Sequence, residues 1–266
     1  MKGTILEKII DSKCRRVEAA KAGVDRSDLA ERASAVHKGA DPHRLRKALS
    51  DKNKISIIAE FKRASPSKGL INGTLEPASV AAEYELGGAA AVSVLTEEDH
   101  FQGSIDDLRA VRSAVKIPVL RKDFIFDPFQ VYEAAAAGAD AILLIAAVLD
   151  DSQLRDLEAL AEDELGMDAL IEVHNLEELE RVAESGSKLI GVNNRDLRTF
   201  SVSLDVSRDL ILHAPNGSLM IAESGLTSRH DILELKGLGY SGFLIGETLM
   251  RSDHRAEELK RLSDQG

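Results

Sequence analysis

Charged and amide side chains occur at the ends of short, otherwise apolar segments of the chain. Glu60 and Lys62 close one such segment, and their spacing places both side chains on the same face of a strand. Lys122 closes a second segment, Glu172 lies inside a third, and Asn193 ends a fourth. Because burying an unpaired charge is costly, so many ionisable groups in apolar surroundings are typical of an active site.

Structural ion pairs are the alternative interpretation of these groups. Glu60 and Lys62 could neutralise each other, and Glu172 or Lys122 could each have a purely structural partner. Alternation along a strand directs Arg121 to the face opposite Lys122, so we expect Arg121 to be structural.

Glycines at the ends of the last two apolar segments indicate an anion site. Ser224 and Gly225 follow one segment and Gly246 follows the other, and a backbone without Cβ atoms can approach an anion closely. Glu247–Arg251 is predicted to be a short helix whose first N–H groups can bind phosphate, provided that the acidic Glu247 side chain turns away. Ordinary turn glycines are the alternative.

A basic, polar loop at residues 63–69 follows Lys62. Such a loop can close over an anionic ligand, or it can be a solvated surface loop. The net charge of −11 repels a phosphorylated ligand at long range. Any phosphate site must therefore be built locally, from backbone N–H groups and a few clustered cations.

Eight short segments predict the strands that position these groups. Most are continuous apolar runs, as expected for parallel strands whose outer faces are covered by helices. The predicted strands are residues 55–61, 90–95, 117–122, 141–145, 169–173, 189–193, 219–223 and 242–245.

Amphipathic segments with helical punctuation lie between these strands. Prolines near their starts and glycines just past their ends predict helices at residues 77–86, 128–137, 175–184 and 228–235. Eight strand–helix units in 266 residues fit a single (β/α)8 TIM barrel of the α/β class, which commonly needs about 250 residues. An open doubly wound sheet is the alternative, but no strand is followed by a GxGxxG turn.

Residues 1–54 precede the first strand and contain an apolar helical face formed by Ile5, Leu6, Ile9, Ile10 and Val17. A helix with this face could plug the bottom of the barrel or cover its side, or it could be a lid over the active-site mouth. We predict that residues 1–54 form an N-terminal helical extension of the same domain as the barrel of residues 55–266.

Composition excludes several classes of protein. A chain with a net charge of −11 is a poor partner for nucleic acid or an acidic membrane. Cys14 is the only cysteine, which excludes an intramolecular disulfide, and the histidines show no zinc-binding spacing. The longest uncharged apolar run, residues 141–149, is far shorter than the roughly 18 residues of a membrane span. We therefore expect a cytoplasmic enzyme with no nucleic-acid or membrane partner.

Five segments of the chain resemble the indole-3-glycerol-phosphate synthase family, and they occur in the family's order. They are residues 57–67, 120–125, 191–197, 222–225 and 244–250. The similarity runs from the N-terminal helix to about Arg251, so it covers nearly the whole chain. One such motif is weak evidence, but five together disfavour chance and other barrel families.

The resemblance implies a specific reaction and partner. The family converts 1-(2-carboxyphenylamino)-1-deoxy-D-ribulose 5-phosphate into indole-3-glycerol phosphate in tryptophan biosynthesis, with loss of carbon dioxide and water. The expected partner is thus a small phosphorylated, anthranilate-derived substrate, and no metal or organic cofactor is expected. The family's N-terminal extension covers the substrate, which favours the lid interpretation of residues 1–54.

The resemblance also implies roles for individual residues. The residue matching Lys122 is the general acid, and the residue matching Glu172 is assigned the work of a general base. The other positions that match the family's catalytic set are Glu60, Lys62 and Asn193. The positions that match or adjoin its substrate and phosphate contacts are Ser65, Phe101, Phe124, Leu143, Arg195, Glu223, Ser224, Gly225, Gly246 and Glu247.

Ring closure by a lysine acid leads to an expectation about its pKa. A dry pocket and a nearby cation such as Lys62 would lower the pKa of Lys122 toward neutrality. Two other functions remain possible from the residues themselves. One is a different phosphate-binding barrel lyase or a Schiff-base aldolase that uses Lys62 or Lys122, and the other is a non-catalytic ligand-binding barrel.

Overall fold

Eight parallel strands close into a barrel in the computed structural model, which describes residues 4–66 and 68–264. Each strand pairs with its sequence neighbours, and the first strand pairs with the last through Ser56 and Gly242. The expected (β/α)8 TIM barrel is therefore confirmed. The strands are β1 (Ser56–Phe61), β2 (Ala91–Leu95), β3 (Val119–Lys122), β4 (Ala141–Ile145), β5 (Asp168–Val173), β6 (Leu189–Asn193), β7 (Leu219–Glu223) and β8 (Gly242–Ile245).

Twelve α-helices are present in the described part of the chain. They are α1 (Ile5–Ala22), α2 (Arg26–His37), α3 (Arg44–Leu49), α4 (Pro77–Leu86), α5 (Ile105–Ala114), α6 (Pro128–Ala136), α7 (Asp151–Ala159), α8 (Leu176–Ser185), α9 (Asp205–Leu210), α10 (Arg229–Leu238), α11 (Glu247–Arg251) and α12 (Arg255–Ser263). A π-helical turn follows α7 and a 3-10 turn follows α9.

The predicted helix that ends at residue 235 is too short, and the structure corrects it. Helix α10 continues through Gly237 to Leu238 and is capped by Gly239, whose φ of 120° is a left-handed conformation that favours glycine. Gly237 has open space around the position of a Cβ atom, so it is simply tolerated inside the helix. The start is as the cap predicts, because the Ser228 side chain accepts a hydrogen bond from Asp231 N.

The loop after β1 contains structure that the sequence does not reveal. Two short antiparallel strands, Ala64–Ser65 and Gly69–Leu70, form a hairpin within it. Ser67, which belongs to the segment that resembles the family, lies outside the described residues. This hairpin projects from the end of β1, next to the predicted site.

Two apolar layers stabilise the barrel. One lies between the outer face of the sheet and the surrounding helices. The other fills the barrel interior, where Ile58, Leu120 and Leu170 are fully buried. Alternation along each strand then directs the next inward residue to the upper layer of the barrel. Glu60, Lys122 and Glu172 stand two positions beyond these three apolar residues, so the oily interior places them at one end.

The N-terminal helices occupy both ends of the barrel. Leu6 and Ile9 of α1 line the cavity at the carboxyl ends of the strands. Leu45 and Leu49 of α3 are buried at the opposite end, where Leu49 contacts Gly242 at the start of β8. The helix with the predicted apolar face, α1, thus lies at the mouth, and a different helix, α3, closes the bottom, while the function of α1 as a lid remains a prediction. Residues 1–3 lie outside the described residues.

Across residues 4–66 and 68–264, none of the helices combines the length and the apolar character that crossing a membrane requires.

Candidate active site

A cavity of about 840 Å³ lies at the carboxyl ends of the strands, where active sites of such barrels occur. The structure brings all of the predicted site residues to its wall. They are Glu60, Lys62, Ser65, Phe101, Lys122, Phe124, Leu143, Glu172, Asn193, Arg195, Glu223, Ser224, Gly225, Gly246 and Glu247. These residues come from all eight strands or the loops that follow them, so closure of the barrel is what assembles them.

Lys122 lies at the centre of a buried network of charges. Its Nζ atom is 2.9 Å from Glu172 Oε2 and 3.2 Å from Glu223 Oε2. Lys62 Nζ pairs with Glu60 Oε2 at 2.5 Å, so these two residues do neutralise each other in part. The ion pairs therefore exist, but their members all face one cavity.

The carboxylates around Lys122 change its pKa in the direction opposite to our expectation. Burial disfavours the ammonium ion, but Glu172, Glu223 and Glu60 favour it more strongly and raise the pKa of Lys122. The expectation that its pKa falls toward neutrality is wrong, because the nearest charges are carboxylates rather than the ammonium of Lys62. Lys122 is a firmly protonated acid in the free protein.

The two carboxylates that share Lys122 differ in proton affinity. Burial disfavours the charge of Glu172, but Lys122 and His174 outweigh it and lower the pKa of Glu172. Burial raises the pKa of Glu223 to about 7, and the attraction of Lys122 only partly opposes this. Apart from Lys122, no described group hydrogen-bonds to either carboxylate oxygen of Glu223. Glu223 is therefore the carboxyl that exchanges protons near neutral pH.

Two glycines make room for these carboxylates. A Cβ atom on Gly191 would clash with Glu223 Oε1, and one on Gly246 would clash with Glu60 Oε2. Gly191 pairs with Glu172 across the β5–β6 ladder, so the small residue faces the upper layer of the barrel. We expected Gly246 at a phosphate, and its clearance for Glu60 is an additional reason for glycine there. The sequence indicated no such role for Gly191.

An amide side chain fixes the orientation of Glu172. Asn193 Nδ2 donates to Glu172 Oε1 at 3.0 Å, while Asn193 Oδ1 accepts from Arg195 N. A residue that our sequence analysis missed, His174, places its Nε2 atom 3.2 Å from the same Oε1. Its position two residues after Glu172 was the available signal, but the sequence does not show which way the imidazole turns.

The apolar half of the cavity is built from aromatic and aliphatic side chains. The rings of Phe101 and Phe124 lie 6.2 Å apart and are tilted by 41°. Leu6 and Ile9 of α1 complete this part of the wall together with Leu143. This surface is suited to an aromatic ring.

A buried carboxylate that the sequence analysis missed holds Phe101 in place. Glu97 is fully buried, and its side chain accepts hydrogen bonds from the backbone N–H groups of Asp99, His100 and Phe101. These bonds fold the loop after β2 over the barrel mouth. A Cβ atom on Gly103 would clash with the backbone at Leu95, so the same loop also requires glycine.

The opposite side of the cavity presents backbone groups after β7 and β8. Ser224 and Gly225 have φ values of 64° and 79°, a left-handed turn that an L-residue such as Ser224 adopts only at a cost. Asn194 Nδ2 holds this turn by donating to the carbonyls of Glu223 and Ser224 at 2.9 and 3.1 Å. Next to it, Gly246 is the N-cap of α11.

The acidic Glu247 side chain is matched by two cations. It accepts a hydrogen bond from Arg251 Nε at 3.1 Å, and Lys68 Nζ lies 3.7 Å away. Its charge is therefore locally balanced by these two side chains. Arg121, by contrast, points outward to Asp123 and Glu133 and is structural, as expected.

No group of three or more histidine, cysteine or acidic side chains within the described ranges is arranged to hold a metal ion.

Comparisons with known proteins agree with the geometry. The family model "Indole-3-glycerol phosphate synthase" matches residues 6–262. Proteins of that name are 46% identical from Carboxydothermus hydrogenoformans, over 97% of this chain and 98% of the relative, and 49% identical from Zymomonas mobilis subsp. pomaceae, over 93% of each. A further one, from Neisseria gonorrhoeae, is 48% identical over 97% of this chain and 98% of the relative.

Solved structures support the fold alone. A thiamine phosphate pyrophosphorylase from Pyrococcus furiosus superposes with a TM-score of 0.59 at 16% identity, covering 82% of this chain and 95% of that one.

The family model and the relatives align with almost the whole chain, from the helix over the mouth to the last helix. The chain therefore belongs to the indole-3-glycerol phosphate synthase family, carboxy-lyases of tryptophan biosynthesis.

Proposed function

We propose that this cavity closes the indole ring of 1-(2-carboxyphenylamino)-1-deoxy-D-ribulose 5-phosphate, with Lys122 as the general acid and Glu172 as the general base. The observation that carries the proposal is the buried Lys122 ammonium, held between Glu172 and Glu223 and facing a cavity with one apolar wall. The protein is thus a carbon–carbon lyase whose product is indole-3-glycerol phosphate.

Binding uses the two unlike walls of the cavity. The anthranilate ring packs between Phe101, Phe124 and Leu143, where apolar contact is favourable. The phosphate lies opposite, against the N–H groups that follow β7 and β8. The residues proposed for that end are Ser65, Ser224, Gly225, Gly246 and Glu247.

The first chemical step forms the new ring. The arene carbon that bears the carboxylate attacks the ketone carbon, and Lys122 protonates the ketone oxygen as the carbon–carbon bond forms. Lys62 or Arg195 anchors the substrate carboxylate until it leaves as carbon dioxide, and the electron pair of the broken bond restores the aromatic ring. The hydroxyl group formed from the ketone then takes a second proton, from Lys62 or from Lys122 after it has regained one from solvent, and leaves as water, while Glu172 accepts the remaining ring proton.

The charge network sets the order of these steps. While Lys122 is an ammonium ion, it keeps Glu172 ionised and weakly basic. Once Lys122 has given its proton to the ketone oxygen, that attraction is lost and the proton affinity of Glu172 rises. Acid and base thereby act in sequence, because each depends on the charge of the other.

A Schiff-base aldolase requires a neutral lysine as nucleophile. The raised pKa of Lys122 disfavours that role. Treatment with borohydride in the presence of the substrate separates the two reactions, because only an imine becomes covalently trapped. We expect no labelling of this protein.

The direct test is the fluorescence of the indole product with wild-type protein and the Lys122→Met variant. We expect kcat to fall at least about 1000-fold in the variant, while KM changes little, because the acid acts on the transition state. Lys116→Met is the matched control, since Lys116 is exposed near the opposite end of β3. A Lys122→Met variant within about tenfold of wild-type turnover would refute the assigned role.

A further inference from the structure

An imidazole side chain links Glu172 to the first turn of α8. His174 Nε2 lies 3.2 Å from Glu172 Oε1, and His174 Nδ1 lies 3.1 Å from Glu178 Oε2. The His174 side chain is only 11% exposed, so water competes little for either contact. His174 does not line the cavity itself, and it can act on the reaction only through Glu172.

Glu178 gives the imidazole a rigid support. Its Oε2 atom also accepts from His174 N at 2.8 Å, and its Oε1 atom accepts from Asn175 Nδ2 at 2.7 Å. Asn175 in turn caps α8 by accepting from Glu178 N at 2.9 Å. The carboxylate is therefore held on both oxygens before it contacts the ring.

A carboxylate oxygen lies within 3.2 Å of each ring nitrogen, which favours the imidazolium form with a proton on both nitrogens. Burial disfavours that cation, but the carboxylates of Glu172 and Glu178 outweigh burial and raise the pKa of His174 to about 10. His174 thus stays charged across the neutral range.

We propose that His174 is a positioning residue for the proposed base. Together with Asn193 it fixes Glu172 Oε1, so that Oε2 remains directed at Lys122. This inference rests on the proposed role of Glu172.

The same contact keeps Glu172 ionised after Lys122 has given up its proton. The charged groups that face Glu172 are Lys122 from β3, Glu223 from β7 and His174. Without the imidazolium, the repulsion from Glu223 is less well opposed, and Glu172 binds a proton at a higher pH. The acid limb of the pH profile of kcat, where kcat falls as the pH is lowered, then moves to higher pH. Glu172 and Glu223 share the ammonium of Lys122, so the pH at which kcat falls on the acid side reflects both carboxyl groups together. The experiment therefore measures the direction in which this pH moves.

The experiment compares His174→Leu with His174→Gln, which keeps a donor but no charge. We expect kcat to fall about 10- to 100-fold in the leucine variant and less in the glutamine variant, because positioning is lost in the first and partly kept in the second. The acid limb should move up by about one pH unit in both, because both lack the charge. Glu178→Gln keeps the ring and weakens its charge, so a smaller upward movement is expected even if the leucine variant folds poorly.

His43→Gln is the matched control, because His43 also lies beside a buried carboxylate, Asp168, but at the other end of the barrel. It should leave the acid limb in place. The inference is wrong if all three variants at His174 and Glu178 retain the wild-type acid limb, whatever happens to their melting temperatures. Glu172→Gln separates this failure from that of the proposed function. If Glu172→Gln retains wild-type kcat, the role of Glu172 is wrong, and if it is inactive while the His174 variants match wild type, only the role of His174 is wrong.

Discussion

Two buried carboxylates, Asp140 at the bottom of the barrel and Glu223 at its mouth, differ in how fully their charge is satisfied. At the bottom, Asp140 receives Arg44 and Arg112 at 2.6 Å each and the backbone N–H of Val119 at 2.8 Å. At the mouth, Glu223 is more deeply buried, but among the described groups only the Lys122 ammonium offers its carboxylate a polar partner. Saturated charges of the first kind stabilise the fold, whereas unsaturated charges of the second kind remain available to exchange protons.

A second contrast lies in the helices that cover the two ends. Helix α3 closes the bottom with leucines that are at most 1% exposed, and its Arg46 pairs with Asp168 at 3.2 Å. Helix α1 covers the mouth with Leu6 and Ile9 but leaves a cavity beneath them. The bottom is thus packed for stability, and the mouth is built to admit a ligand.

Replacing Glu223 with a neutral side chain tests this difference between the two carboxylates most directly. We expect Glu223→Gln to lower kcat about 100- to 1000-fold, because Lys122 loses a partner and the site loses a carboxyl that titrates near neutrality. The same variant should unfold at a higher temperature than wild type at pH 8, because a poorly satisfied buried charge is removed. Product fluorescence and thermal unfolding of the same preparation measure both effects.

The pH dependence of the Glu223 effect has a definite sign. Its folded pKa of about 7 lies above its ordinary value of 4.5, so the folded protein binds the proton more tightly than the unfolded chain. Its contribution to stability is therefore full below about pH 4.5 and is lost as the pH rises through 7. The gain in melting temperature of Glu223→Gln over wild type should grow across that range. A gain that is the same at pH 5 and pH 8 would contradict this assignment.

Truncating a leucine to alanine should have different consequences at the bottom and at the mouth of the barrel. Leu49→Ala should cost about 2–5 kcal/mol of unfolding free energy, because it leaves a cavity in the packed bottom. Its kcat and KM should stay within about twofold of wild type, because Leu49 lies at the end of the barrel opposite the cavity and the barrel remains folded. Leu6→Ala should cost much less stability and should mainly raise KM. Denaturant unfolding and steady-state kinetics on both variants decide between this pattern and a uniform one.

The fold and the charged residues at the strand ends could be predicted from local sequence patterns, whereas Phe101, Phe124 and Leu143 followed only from the resemblance to the family. Apolar runs identify the eight strands, and strand ends identify Glu60, Lys122 and Glu172 as neighbours once the barrel closes. The strand boundaries of residues 55, 90 and 117 shift inward by one or two residues, and the third strand begins only after Pro118, which has no N–H to donate.

The electrostatics of the site could not be predicted in the same way. The pKa of Lys122 depends on which charges its Nζ atom meets, and three carboxylates from three other strands decide this. The contact between His174 and Glu172 depends on a side-chain rotation, and the need for glycine at 191 depends on where Glu223 lies. Contacts between residues far apart in the chain carry no local signature.

Ion pairs of Lys13 attach helix α1 over the mouth of the barrel. Lys13 is buried in this helix, and its Nζ atom pairs with Asp123 Oδ2 at 2.7 Å and Glu98 Oε2 at 3.0 Å. Asp123 follows Lys122 directly and also binds Arg121 and Thr96, so it remains satisfied when Lys13 is removed. Lys13 therefore ties the helix to the mouth, and together with Arg121 it keeps the pKa of Asp123 low despite burial.

We expect Lys13→Met to raise KM about tenfold and to change kcat by less than about threefold, because α1 then covers the bound substrate for less of the time. Lys8→Met on the same helix is the control, since Lys8 is exposed. The difference between the two variants should persist at high salt, because the ion pair between Lys13 and Asp123 is buried and is screened little. If Lys13→Met lowers kcat and leaves KM unchanged, the ion pair positions Lys122 through Asp123. Helix α1 would then take part in the chemical step and would not merely cover the substrate.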